Sequence, residues 1–256
     1  MTAARIELLA VPGLPEVRAG DDLAALVAEH ARAAGIDLRT GDVVVFAQKV
    51  VSKAEGRIVE LATVQPSARA HELAERVGKD ARLIELILGE SSAVVRAVSN
   101  VLIVRHRLGF VMANAGVDQS NVPGHEAGER ALLLPVDPDA SAARLRTALV
   151  ALSGADVAVL INDSFGRPWR RGAVGTAIGC AGIAALQDLR GRPDRHGRTL
   201  RVTEVGTADE IAAAASLLMG QADEGLPVVI VRGLARAHAP STAAVLVRAA
   251  DEDLFA

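Results

Sequence analysis

The run Asp156-Val-Ala-Val-Leu-Ile161-Asn-Asp163-Ser164-Phe-Gly166-Arg167-Pro-Trp169-Arg170-Arg171-Gly172 decides how this chain reads. Its apolar half, ending at Ile161, reads as a buried strand. The polar half follows at once, so Asp163 and Ser164 are expected just past the strand end, where chain exits present functional groups. A second run, Asn114-Ala-Gly-Val-Asp118-Gln-Ser-Asn121, has the same construction. Residues 101–104 and 110–112 read as strands, and a glycine-containing, amide-rich loop then carries Asp118. Two carboxylates on separate loops, with a hydroxyl and amides beside them, are hard oxygen ligands of the kind magnesium or manganese accepts. Arg167, Arg170 and Arg171 form a cluster suited to phosphate or carboxylate.

Composition describes a soluble enzyme of ordinary size. With 256 residues the chain can form one large domain or two small ones around a substantial core. A net charge of -3 and a pI near 6.1 argue against a nucleic-acid binder. The single cysteine, Cys180, excludes an internal disulfide and any multi-cysteine metal site and suits a reducing compartment. No basic start followed by a long apolar core marks a signal peptide, and no uncharged apolar run approaches the roughly 20 residues that span a bilayer. The expectation is a cytoplasmic protein with no membrane and no nucleic-acid partner. Aromatics make up only 2% of the chain, so Ala, Val and Leu must fill the core, and Trp169 stands out.

Strands and helices alternate without a detectable repeat. Asp21-Asp22 opens an amphipathic helix that Gly35 stops, and residues 41–46 form a strand leading into Gln48-Lys49-Val-Val-Ser52-Lys53, where two lysines lie four apart. Pro66 to Leu88 is a long helical region with a candidate break at Gly78. Asp139 to Leu152 is a further helix. The glycine-rich stretch Gly172 to Gly182 suggests a closely packed helix or substrate-facing backbone, with a flexible lid as the alternative. Residues 200–205 read as a short strand, Asp209-Glu210 opens an alanine-rich helix reaching Met219, and residues 226–231 form a strand. The tail from Arg236 onward has no strong pattern and reads as peripheral.

No GxxxxGK[ST], GxGxxG, HExxH, CxxC or GxSxG motif is present. The six histidines, at 30, 71, 106, 125, 196 and 238, read as surface or structural residues. Ser52 and Cys180 have no neighbouring base, which argues against covalent catalysis through either.

Five blocks occur in order: Pro12-Gly13-Leu14-Pro15-Glu16, Gln48-Lys49-Val-Val-Ser52-Lys53-Ala-Glu55-Gly56, Ala115-Gly116-Val117-Asp118-Gln-Ser-Asn121, Asp163-Ser164-Phe-Gly166-Arg167 and Met219-Gly220-Gln221-Ala-Asp-Glu224-Gly225. With them the chain resembles the coenzyme F420:L-glutamate ligases over about residues 6 to 234. The resemblance implies an α/β fold of the α+β type, in two parts with mixed β-sheets flanked by helices, and a homodimer. It implies a single ligase domain over residues 1–256, built from two intertwined subdomains. Some members carry a second, flavin-binding domain, which is not expected after Phe255.

The activity implied is GTP-dependent addition of L-glutamate to a deazaflavin precursor through an acyl phosphate, with further gamma-linked glutamates able to follow. Magnesium or manganese, as two divalent ions, and potassium are the implied cofactors. The same resemblance puts Leu14, Pro15, Glu16, Val17, Gln48, Lys53 and Asn121 at the nucleotide. Met219, Gly220, Gln221, Ala222, Asp223, Glu224, Gly225 and Leu226 match a further nucleotide-binding stretch. Asp118 and Asp163 match ligands of one ion, and Ser164 and Gln221 ligands of a second. Members often have Ser where this chain has Gln48 and Thr where it has Ser164; the hydroxyl oxygen survives only in the second case.

Physical reasoning adds roles to these residues. Lys53 supplies a mobile positive charge near the phosphates and, with Asp163 and Arg167, makes up the expected catalytic set. Trp169 is a candidate platform for the deazaflavin ring, and Arg170 and Arg171 are candidates for the substrate's phosphodiester or carboxylates. Simpler roles compete. Loop aspartates form turns and caps, paired lysines and arginines commonly lie on solvated faces, and a lone tryptophan also packs. The rival activities are a metal-dependent phosphohydrolase, another nucleotide-dependent amide ligase, and a non-catalytic GTP-binding regulatory module.

Overall fold

Three uninterrupted apolar runs, residues 43–46, 158–161 and 228–231, are buried along their whole length. They can be so only as neighbouring strands covered on both faces. The computed structural model describes residues 4–121, 129–234 and 239–252, so His125, Arg236 and His238 lie outside the described residues. In chain order the first half contains β1 (Glu7–Ala10), α1 (Leu23–Ala33), β2 (Val43–Ala47), α2 (Gln48–Ala54), β3 (Ile58–Glu60), α3 (Ala68–Val77), α4 (Ala81–Gly89), β4 (Ser91–Val98), β5 (Val101–His106) and β6 (Val111–Ala113). The second half contains β7 (Arg130–Leu132), α5 (Pro138–Ser153), β8 (Ala158–Arg167), β9 (Arg170–Ala181), β10 (Gln187–Asp188), β11 (Glu204–Val205), α6 (Thr207–Met219) and β12 (Val228–Arg232). None of the described helices is long and apolar enough to cross a membrane.

The main sheet has the order β1-β12-β2-β8-β9, with β2 and β8 parallel and the other pairs antiparallel. Side-chain alternation divides its residues between two layers. Val44, Phe46, Val159, Ile161 and Ile230 face α1 and α5, meeting Leu23, Val27, Ala142 and Leu149. Val43, Val45, Leu160, Val229 and Val231 face α6, meeting Ala208, Ile211, Ala212 and Ala215. A parallel pair needs a long crossover. Here the chain between β2 and β8 builds the second part of the molecule, with the β4-β5-β6 sheet, the β3-β7 pair and a core of Leu61, Ile84, Ile87, Leu102 and Leu133. The expected α/β class with mixed sheets and flanking helices is therefore the one observed.

Local chemistry sets the helix ends. Asp22 and Asp137 cap α1 and α5 by accepting the N–H of Ala25 at 3.0 Å and of Ala140 at 2.9 Å. The expected break at Gly78 is real: the residue has φ 72° and ends α3, and Asp80 caps α4. Glu90, just after α4, ties the second part together. It accepts hydrogen bonds from Arg57 at 3.0 Å and Arg107 at 3.1 Å, with His106 Nε2 at 3.4 Å. Burial alone would raise its carboxyl, but these partners hold it at about 2.

Several sequence expectations need correction. The glycine-rich stretch is not a helix but most of β9, because β8 supplies a ladder partner for it along its length. For the same reason Asp163 and Ser164 lie within β8 rather than past its end. Only residues 204–205 of the expected strand at 200–205 pair. The described tail is docked, not peripheral: Ala243 is buried, and Asp139 accepts the N–H of Cys180 at 2.8 Å, of Ala243 at 2.8 Å and of Ala244 at 3.2 Å. Strands β1, β3, β4, β7 and β10 were not expected from the sequence, most of them being short or without clean alternation.

The β8–β9 register shifts between Ile161↔Gly179 and Asn162↔Ala177, leaving Ile178 as a bulge residue. One extra residue inverts the faces, so two glycines four apart meet opposite layers. A Cβ on Gly179 would lie 2.4 Å from the Pro138 carbonyl oxygen, at α5, and one on Gly175 would lie 2.5 Å from the Ala212 oxygen and 2.2 Å from Ser216 Oγ, at α6. Gly175→Ala must push α6 off the sheet, and overpacking of this kind costs about 1–3 kcal/mol. Thermal or urea unfolding should show that loss; an unchanged midpoint would mean that α6 tolerates the displacement.

Candidate active site

Beyond Ile161 strand β8 leaves the apolar core and presents Asn162, Asp163 and Ser164 in succession. Asn162, 5% exposed, donates through Nδ2 to Ser216 Oγ at 2.9 Å and to Met219 Sδ at 3.4 Å. These contacts lock the last turn of α6 to the strand. Gly220 (φ 69°) then turns the chain, and Ser164 Oγ donates to Gln221 Oε1 at 2.8 Å. Asp163 Oδ1 accepts the Ser164 N–H at 2.8 Å.

Asp118 approaches from the second part. Asn114, Ala115 and Gly116 have φ of 54°, 52° and 68°, a run of left-handed residues that is costly unless its surroundings enforce it. Lys79 Nζ donates to Asn114 Oδ1 at 2.7 Å, and a Cβ on Gly116 would strike Leu134 at 2.8 Å. The turn delivers Asp118 to a backbone bridge with Leu132, at 3.0 and 2.8 Å. Its carboxylate meets Lys49 Nζ at 2.5 Å and accepts from the Ser120 N–H at 2.8 Å and hydroxyl at 2.9 Å. Desolvation would raise the Asp118 carboxyl, but Lys49 and Ser120 outweigh it and hold it below the usual range. Asp163 behaves oppositely. Desolvation pushes it up to about 6 against the Ser164 hydrogen bond, and the Asp118 charge adds to the rise while Lys49 opposes it.

Beside these carboxylates opens a cavity of about 480 Å³. Its walls include Leu14, Pro15, Glu16, Val17, Gln48, Lys53, Asn121 and residues 219–226, with Asp163 and Ser164 among them. All the residues the resemblance put at the nucleotide thus line one space. Lys53, only 8% exposed along its side chain, donates to Glu16 Oε1 at 2.6 Å. Gln48 is buried and accepts the Ser52 hydroxyl at 2.9 Å. The Glu224 carboxylate accepts the Ala222 N–H at 2.8 Å, and this and neighbouring backbone N–H groups hold it below the usual range.

The hairpin arginines and Trp169 do not line this cavity. Arg167 donates to the Arg171 carbonyl at 3.3 Å, and Trp169, at φ 59°, is 82% exposed at the β8–β9 turn. Sequence reasoning missed Asn162, Lys79 and the role of Lys49. Asn162 stood beside Asp163 in the decisive run, and Lys49 was visible as half of a lysine pair read as a solvated face.

The donor set suits a hard cation. Asp118, Asp163, Ser164 and Gln221 offer oxygen only, the chemistry of magnesium or manganese. Among the described residues no cluster of three or more His, Cys, Asp or Glu is present. An ion held here must complete its shell with hydroxyl, amide, phosphate or water oxygens.

The raised Asp163 carboxyl makes its ionisation a cost to the fold. Because the folded value lies above the ordinary 3.8, the penalty is absent at low pH, grows from about pH 4 to about 6 and is full above that. Without divalent metal, Asp163→Asn should therefore be more stable than the parent at pH 7–8, on the order of 2 kcal/mol, with the gap closing below about pH 4. Unfolding midpoints across pH measure this; a variant less stable at pH 8 would show that the carboxylate supports the fold.

Comparison with known proteins adds independent information. A family model described as F420-0:Gamma-glutamyl ligase matches residues 13–233. The chain is similar to the coenzyme F420:L-glutamate ligase of Methanothermobacter thermautotrophicus, 47% identical over 98% of each chain. It is 48% identical to that of Methanopyrus kandleri, over 96% of this chain and 95% of the relative. With the Archaeoglobus fulgidus protein of the same name it shares 47% identity over 90% of this chain and 88% of the relative.

Proposed function

Since the chain belongs to the F420-0:gamma-glutamyl ligase family and is a ligase, we propose that it uses GTP to join L-glutamate to the deazaflavin precursor of coenzyme F420. The observation that carries this reading is the convergence on one cavity of the Lys53–Glu16 pair, the 219–226 loop, Asp163 and Ser164, with Asp118 beside it.

Amide formation from a carboxylate needs an activated acyl group. In the proposed route the terminal phosphoryl of GTP passes to the precursor's carboxylate, its bond to GDP breaking as the acyl phosphate forms. The glutamate amine then attacks the acyl carbon, phosphate leaves and the amine gives up a proton. Two divalent ions would supply charge neutralisation and orientation of the phosphates. Asp118 and Asp163 would hold one ion, and Ser164 with Gln221, already joined by a 2.8 Å hydrogen bond, the other. Lys53 is oriented along the wall by Glu16, ready to meet phosphate. Residues 14–17 and 219–226 would enclose the nucleotide. Arg167, Arg170, Arg171 and Trp169 extend from the same strand pair as Asp163 and are proposed to engage the precursor's anionic groups and ring. Four exposed valines on the β4-β5-β6 sheet, Val95, Val98, Val101 and Val111, support a homodimer.

Mass spectrometry of the precursor after incubation with the protein, L-glutamate, manganese and either GTP or ATP tests the proposal. A gain of one or more glutamyl units with GTP is expected, and Asp163→Asn should lose at least about a hundredfold of that activity, as removal of a charged group acting in the transition state does. Equal turnover with ATP would remove the GTP assignment. Phosphate release without a glutamyl product would favour a phosphohydrolase.

A further inference from the structure

We infer that Lys49 is the resident counter-cation of the Asp118/Asp163 pair, occupying the divalent-ion position until an ion displaces it and frees the ammonium for the phosphates in the same cavity. The inference rests on the metal-dependent reading above. Its basis is where the ammonium sits. Lys49 Nζ lies 2.5 Å from Asp118 Oδ2, 2.6 Å from Ser120 Oγ and 3.4 Å from the Ser120 carbonyl oxygen, and its charge also acts on Asp163. Those are hard oxygens gathered around one positive charge. The side chain is 28% exposed and that of Asp118 37%, so the pair is reachable from solvent.

Charge balance explains why a lysine would be placed there. The Asp118 charge acts unfavourably on Asp163, and one ammonium cancels half of the charge of two carboxylates. A divalent ion cancels all of it. An ion bound to the Asp118 carboxylate would take over the charge that holds Lys49 and would repel the ammonium beside it. On this inference Lys49 leaves when the ion enters. Its flexible four-carbon stem permits this, and it starts one helical turn from Lys53 on α2 with both residues lining the cavity. Lys53 is engaged by Glu16, whereas the carboxylate that holds Lys49, Asp118, is one the ion would take over.

A purely supporting salt bridge makes the opposite prediction, since its loss would loosen the Asp118 turn and weaken metal binding. Manganese titration of the nucleotide-free, full-length protein separates the two by sign. Lys49→Met should bind Mn2+ roughly tenfold more tightly than the parent, as removal of a charge-assisted competitor implies. Lys49→Arg, which keeps the cation, should show no gain, and Asp118→Asn should abolish the gain in the Lys49→Met background. Equal or weaker binding by Lys49→Met overturns this inference alone. Absence of Mn2+ binding in parent and variant alike overturns the metal-dependent reading and the inference with it. A second measurement needs no variant. Acetylation of Lys49 in the parent protein, read by peptide mass spectrometry, should rise several-fold on Mn2+ addition, and an unchanged rate would overturn the exchange.

Discussion

The β8–β9 ladder positions both the helices that cover the main sheet and the polar residues of the site. Its inner half is apolar and covered by helices on both faces; its outer half carries Asn162, Asp163 and Ser164. The bulge at Ile178 divides the halves. By inverting the faces of β9 it lets Gly179 lie under α5 and Gly175 under α6, and Asn162 can then bracket the end of α6. The Gly220–Leu226 loop is thus set relative to Asp163 by the Asn162 side chain and by the Ser164–Gln221 hydrogen bond, both rooted in β8. Sites built on rigid elements hold geometry better than sites on loops.

The second part of the molecule serves the first. Its own core supports a left-handed turn at 114–116 that Lys79 clamps through Asn114, and the product of that arrangement is one carboxylate, Asp118, brought against a strand more than 40 residues away in sequence. The Glu90 network with Arg57, Arg107 and His106 keeps the end of α4, the segment before β3 and the end of β5 in one frame. This whole unit is inserted in the crossover between parallel strands β2 and β8.

Electrostatic tension is concentrated where the chemistry is. Asp163 is pushed up by desolvation and by Asp118, while Asp118 is held down by Lys49 and Ser120. A site of this kind lowers the stability of the empty protein and favours the binding of cations, a frequent trade between stability and function. Glu16 and Lys53 show the same economy of charge in the cavity, where a nearly buried ammonium has a carboxylate partner at 2.6 Å.

Local sequence specified the apolar runs that become β2, β8 and β12, the side-chain-capped helices α1 and α5, the alanine-rich helix α6, the break at Gly78 and the identity of the two carboxylate runs. Each of these is written in local periodicity, caps or motif order, which act over a few residues. Five ordered blocks also carried the family resemblance that the comparisons bear out. Tertiary packing made the glycine-rich stretch a strand, because its small residues answer to helices packed on either side of it and not to any period of its own. It alone decided that Asn162 is a bracket, that Lys79 clamps a turn and that Lys49 sits on Asp118. It also docked the tail onto Asp139. Those outcomes depend on residues brought together across 35 to 105 positions of chain. No local pattern encodes such meetings; the packing of the two parts creates them.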